Sequence, residues 1–173
     1  MKKVLSSLFA GILVVSMGVG LAGCASSNTN SGEVKNTEST ETKSTETKEV
    51  TEVEMKYTSV DDAKAKLDDS NTVFVDVRKA DDFKAGHIKG SVSADMDAAK
   101  GGDNEAGLDA MQKAIDSNNL KNQNLILVCY SGKSYAQAGT NILNALGYDM
   151  SKVTTLEGGI KAWEEAGLDK VTN

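Results

Sequence analysis

Apolar and polar positions divide the chain into three parts. Val4 to Ala22 is an apolar run broken by Gly11, Gly18 and Gly20. Ala25 to Glu54 is Ser, Thr, Asn, Glu and Lys with almost nothing apolar. From residue 55 onward, short apolar runs alternate with mixed segments of helical spacing. Ser59-Val60-Asp61-Asp62 resembles a capping box, opening a short amphipathic helix through Ala63 and Leu67 to about Asp69. Val73-Phe74-Val75-Asp76-Val77 is a β-branched run of the kind buried in parallel strands. A short helical turn over Ala80 to Lys84 stops at Gly86, and Ser91 to Ala94 suits another short strand. Residues 95–119 are acidic and glycine-punctuated, with one helix at about Glu105 to Asp116. Leu125 to Val128 reads as a buried strand, and Tyr135 to Leu146 as a helix ended by Gly147. Lys152 to Leu156 reads as a last strand, and Ile160 to Glu165 as a final helix anchored by Trp163. Strands alternating with helices imply right-handed crossovers. The expectation is an α/β domain, with a mostly parallel sheet of about five strands covered by helices on both faces. Open sheets of this kind bind ligands at the carboxyl ends of their strands.

The first two parts have no such pattern. Lys2 and Lys3 precede the apolar run and small residues end it, which is a secretory signal rather than a stable spanning helix. Leu21-Ala22-Gly23-Cys24 resembles the lipobox of bacterial lipoproteins, whose cysteine is alkylated with diacylglycerol before cleavage ahead of it. The resemblance implies a signal peptide over residues 1–23 and a lipid on Cys24. It also implies an extracytoplasmic protein anchored to the bacterial membrane. Several acyl chains would hold it firmly, since each buried methylene adds about 0.8 kcal/mol. The rest of the polar part, with its near-repeat Thr40-Glu41-Thr42-Lys43-Ser44-Thr45-Glu46-Thr47-Lys48, cannot bury enough surface to offset its ordering entropy. Residues 24–54 therefore read as a disordered tether spanning roughly 30 Å, or about 100 Å when stretched. The folded domain is expected over residues 55–173.

Composition narrows the partners. A net charge of −6 without a basic stripe argues against nucleic acid. Arg78 is the only arginine, so no guanidinium clamp for anions exists elsewhere. Once Cys24 is lipidated, Cys129 is the only thiol and no internal disulfide can form. No group of His, Cys and carboxylates has metal-ligand spacing, so no metal or other cofactor is expected. The protein is expected to be a monomer.

Cys129 stands where the strand Leu125 to Val128 ends, followed by Tyr130-Ser131-Gly132-Lys133-Ser134 and a helix. A thiol at a strand-to-helix turn lies beside the unpaired N–H groups of the helix, where a thiolate is stabilised. Gly132 allows close backbone approach.

Four motifs line up in one order. They are Val75-Asp76-Val77-Arg78, then Asp82-Phe83-Lys84-Ala85-Gly86-His87-Ile88-Lys89-Gly90, then Cys129 to Ser134, then Leu156-Glu157-Gly158-Gly159-Ile160-Lys161-Ala162-Trp163. Together they resemble a single-domain rhodanese over about residues 56 to 167. The resemblance implies that Cys129 takes a sulfane sulfur from a small anionic donor, thiosulfate or polysulfide, and becomes a persulfide. The outer sulfur then passes to a thiol or other thiophilic acceptor, cyanide in the assay that names the family. The backbone N–H groups of Tyr130, Ser131, Gly132, Lys133 and Ser134 would cradle the anionic sulfur. Lys133 would attract the donor. Many family members end this loop with arginine. Ser134 stands there instead, which weakens side-chain help with an oxyanionic donor.

The remaining motif residues read as structural. Asp76 and Arg78 organise the strand-end loops, with Arg78 paired to Asp82 or a neighbour. His87 orients the turn Gly86-His87-Ile88, Gly158-Gly159 makes a tight turn, and Trp163 packs. Tyr130 and Tyr135 are candidates to line the pocket. Two other functions stand beside the enzyme. One is a carrier, redox-sensing or protein-binding module of the same fold that does not turn over. The other is a cysteine phosphatase or arsenate reductase, but phosphate chemistry wants Cys-x5-Arg, and the sixth residue after Cys129 is Tyr135.

Overall fold

The computed structural model of the chain describes residues 48–172. The expected signal peptide, Cys24 and the tether up to residue 47 lie outside the described residues. Five strands form one sheet: β1 (Tyr57–Thr58), β2 (Thr72–Asp76), β3 (Val92–Ser93), β4 (Asn124–Val128) and β5 (Val153–Leu156). Their spatial order is β1-β5-β4-β2-β3, and every neighbouring pair is parallel. The helices are α1 (Val60–Lys64), α2 (Ala80–Ala85), α3 (Asp97–Lys100), α4 (Asn104–Ser117), α5 (Ser134–Ala145) and α6 (Gly159–Glu165).

A parallel sheet must be covered on both faces, and alternation along each strand supplies both. Leu125 and Leu127 of β4 join Val75, Met111, Ile142 and Leu143 in the cluster beneath α3, α4 and α5. Ile126 and Val128, one residue out of phase, join Phe74, Leu156, Ile160 and Trp163 on the side of α1 and α6. Trp163 is 2% exposed, meets the edge of Phe74 at a centroid distance of 6.1 Å, and donates from Nε1 to the Asp169 carbonyl. Burying one such side chain stabilises the fold by roughly 2–3 kcal/mol.

The chain runs outward from β2 to β3 in one direction and from β4 to β5 in the other. The strand order therefore reverses at the β2–β4 boundary, the position where such sheets open a ligand crevice. Cys129 is the first residue beyond β4.

Three local expectations change. Helix α1 begins as its cap predicts, with Ser59 Oγ accepting the Asp62 N–H at 3.1 Å, but it stops at Lys64. Leu67 is 39% exposed and gives the helix no apolar anchor beyond that point. Residues 95–119 hold two helices rather than one, because α3 precedes α4. Gly107 lets them touch, since a Cβ there would stand 2.5 Å from the Ala99 side chain. Finally, contact with the domain begins at Val50, which packs against the α5-side core. The Val53 N–H donates to Asn141 Oδ1 at 3.1 Å, and Gln137 Nε2 donates to the Val53 carbonyl at 2.8 Å.

Candidate active site

The residues from Cys129 to Ser134 connect β4 to α5 and are held at both ends. The Cys129 carbonyl accepts the N–H of Ile160 at 2.7 Å, and the Tyr130 carbonyl accepts that of Lys161 at 3.3 Å. The first turn of α6 thus grips the front of the loop. At its far end the Lys133 carbonyl accepts the Gln137 N–H at 2.8 Å. The Cys129 side chain is only 1% exposed.

Beneath this loop runs the turn Gly158-Gly159, with φ of +71° and +64°, the left-handed region that glycine enters without strain. A Cβ on Gly159 would stand 2.4 Å from the Cys129 carbonyl oxygen and 2.6 Å from the Ser131 nitrogen. A Cβ on Gly132 (φ +70°) would stand 2.8 Å from the Leu156 carbonyl oxygen. The two loops therefore meet backbone to backbone. Gly159 does more than turn the chain, because it leaves room for the cysteine loop, whereas a Cβ on Gly158 would stand 2.5 Å from the Ala162 side chain.

Among the described residues, no protein acceptor takes the N–H of Tyr130, Ser131, Gly132, Lys133 or Ser134. These free donors run from Cys129 to the N-terminus of the 12-residue helix α5, the end whose dipole favours an anion. They suit a thiolate and an anionic sulfur carried on it. Ser131, Lys133 and Ser134 are exposed, and Gly132 is buried.

The neighbouring strand ends differently. Asp76 is fully buried and Arg78 5% exposed. Arg78 donates to Asp76 from Nε at 3.0 Å and from Nη2 at 2.7 Å, and Nη2 also reaches the Gly86 carbonyl at 2.7 Å. Burial disfavours the guanidinium charge, but the hydrogen bonds and charge of Asp76 outweigh it and raise the Arg78 pKa. Arg78 does not bond to Asp82. Asp82 instead accepts the Tyr130 hydroxyl at 2.5 Å. His87 is 4% exposed, with Nδ1 2.9 Å from the Phe83 carbonyl and its ring stacked on Phe83 at 3.9 Å. Its backbone exchanges hydrogen bonds with Val171, so it ties the end of α2 to the C-terminal segment.

Two tyrosines wall the loop. The rings of Tyr130 and Tyr135 meet edge to face at 5.0 Å. The Tyr135 hydroxyl donates to Asp97 at 2.5 Å, which raises the tyrosine pKa and lowers that of Asp97. Burial, then the bond to Asp82, raises the Tyr130 pKa. Both hydroxyls are therefore protonated donors at neutral pH. Lys79 pairs with Asp97 at 3.4 Å, and Lys100 Nζ lies 5.4 Å from the Tyr135 ring centre.

Asp95, which the sequence pattern did not single out, supports this wall. It accepts the N–H groups of Ala80 and Asp97, each at 2.9 Å, and so caps the starts of α2 and α3 together. Its only signal was an aspartate two residues ahead of a helix start.

The fold and this loop define a class. Residues 59–166 match the family model of the rhodanese-like domain, and the chain belongs to that family. The thiosulfate sulfurtransferase GlpE of Pseudoalteromonas translucida is 33% identical over 116 residues, covering 67% of this chain and 95% of the relative. Of solved structures, the BH2092 protein from Bacillus halodurans superposes with a TM-score of 0.54 at 19% identity, covering 68% of this chain and 77% of that one. The rhodanese-like domain of the Alr3790 protein from Anabaena sp. gives 0.53 at 19% identity, covering 69% and 81%. These two likenesses establish the fold. The family and the sulfurtransferase relative support sulfur transfer as the general chemistry.

Proposed function

We propose that the protein is a membrane-tethered sulfurtransferase that carries a sulfane sulfur on Cys129. The observation that supports this most is the set of unspent N–H groups from Tyr130 to Ser134 beside the only thiol of the described residues. In the first half-reaction, the Cys129 thiolate attacks the outer sulfur of thiosulfate or a polysulfide. The donor S–S bond breaks, its electron pair leaves with sulfite or the shortened polysulfide, and Cys129 becomes a persulfide. In the second half-reaction, a thiolate or cyanide attacks the outer sulfur, and Cys129 departs as thiolate. The loop amides hold the sulfur that bears the charge in both states, and exposed Lys133 draws the anionic donor towards them.

Lipidation of Cys24 would hold the domain at the outer face of a membrane, with the polar segment as its spacer. Turnover is tested by following thiocyanate formation from cyanide with thiosulfate or polysulfide. The wild type turns over and Cys129→Ser does not, and equal rates in the two proteins would overturn the proposal. The anchor is tested by detergent-phase partitioning, in which Cys24→Ala moves the protein to the aqueous phase.

A further inference from the structure

A cleft opens beside the cysteine loop between α3, the start of α4 and α5. Its polar lining is Lys100, Asn104, Ser134, Gln137 and Asn141, and Val50 and Ala138 supply apolar wall. Among the described residues, no carboxylate lines it. Gln137 and Asn141 are fixed in place, because Asn141 Oδ1 accepts from the Val53 N–H at 3.1 Å and from Gln137 Nε2 at 2.8 Å. Those bonds use one end of each amide. Among the described residues, Asn141 Nδ2 and Gln137 Oε1 have no hydrogen-bond partner, and neither do the Asn104 amide and the Ser134 hydroxyl. A fixed donor and a fixed acceptor suit a ligand amide, and the Lys100 ammonium, near Asp97 but in no ion pair among the described residues, suits a carboxylate.

The cleft is joined to the reacting loop in two ways. Ser134 is both the last loop residue and the first residue of α5. Lys100 Nζ stands over Tyr135, whose ring touches Tyr130, the neighbour of Cys129. Meanwhile the one arginine is spent on Asp76 and Gly86, so recognition of an anionic group falls to lysines.

We infer that this cleft holds the body of the sulfur acceptor, a small thiol carrying a carboxylate and an amide. The inference rests on the sulfur-transfer reading of Cys129. The acceptor thiolate attacks the outer sulfur of the Cys129 persulfide, and a new S–S bond forms as the old one breaks. Cys129 leaves as thiolate with the bonding pair, the acceptor departs as a persulfide, and total charge is unchanged.

The test uses protein preloaded with one sulfur, discharged to N-acetylcysteine or to its methyl ester at equal thiolate concentration. The acid is expected to be the better acceptor by about fivefold in kcat/KM, the size of one partly exposed ion pair. Lys100→Met removes that preference, and Asn104→Ala lowers discharge to both thiols by about threefold. Equal rates for acid and ester in the wild type, or a preference that survives Lys100→Met, would overturn the inference. Binding is also read without turnover. In Cys129→Ser protein, N-acetylcysteine shifts the side-chain amide resonances of Asn104, Gln137 and Asn141, and about fivefold more methyl ester is needed for the same shift. Absence of these shifts overturns the cleft assignment whether or not a persulfide forms. Shifts without any persulfide in the wild type would overturn the sulfur-transfer reading instead.

Discussion

Strands β2 and β4 lie side by side in register, from Thr72 opposite Asn124 to Asp76 opposite Val128, and their loops leave the same edge of the sheet. The two loops treat their polar groups in opposite ways. After β2, the buried Asp76 carboxylate is matched to Arg78, and Arg78 is matched again to Gly86. That latch spends its charges on itself. After β4, the backbone N–H groups from Tyr130 to Ser134 find no protein acceptor among the described residues, and the thiol sits at their start. Satisfied polar groups stabilise a fold, whereas an unspent set beside a nucleophile is available for a reacting anion. The latch does structural work so that the neighbouring loop can stay open.

The two loops differ most sharply at Cys129. Cys129→Ser should lower sulfur-transfer turnover at least about a thousandfold, while its unfolding free energy stays within about 1 kcal/mol of wild type. Arg78→Met attacks the other loop and should reverse the pattern. It leaves the Asp76 carboxylate buried without a partner, so urea unfolding should show a loss of about 3–5 kcal/mol. A loss below 1 kcal/mol would mean that the latch is decorative.

Gly159→Ala strikes the support of the open loop. Its Cβ would collide with the Cys129 carbonyl and the Ser131 nitrogen, so turnover should fall about a hundredfold through misplacement of the loop. The left-handed φ alone should cost about 1–2 kcal/mol in a denaturation curve. Tyr135→Phe gives the smallest effect. The Tyr135 hydroxyl is the largest cause lowering the Asp97 pKa, so carboxyl NMR should show Asp97 titrating closer to the ordinary aspartate value in the variant. A carboxyl whose folded pKa is depressed favours the folded state above its unfolded pKa, and that contribution is lost as pH falls through the folded value. The variant should therefore be less acid-sensitive than wild type below about pH 4.

Much of this was legible in the chain. Val73 to Val77 and Leu125 to Val128 announced central strands because a strand buried on both faces is apolar at consecutive positions. The cysteine at the end of the second run, with Gly132 after it, outlined the reactive loop. Strand β1 was not legible, since Tyr57–Thr58 is two residues long and takes its register from β5 nearly a hundred positions away. Helix α3 was hidden by its four-residue length. Short segments carry too little periodicity to read. Of the partners open to Arg78 along the chain, Asp82 or a neighbour, the structure selects Asp76, and only packing sends Asp82 to Tyr130. The second role of Gly159 was invisible because the Cβ that would clash meets a loop some 30 residues upstream.

In the proposed function, everything depends on Cys129 carrying a sulfur. Intact-mass spectrometry of the protein after exposure to thiosulfate or polysulfide tests it most directly. The expected result is a gain of about 32 Da, one sulfur atom, on the peptide containing Cys129, lost again on adding cyanide. An unchanged mass with both donors, or a gain that persists in Cys129→Ser, would contradict it.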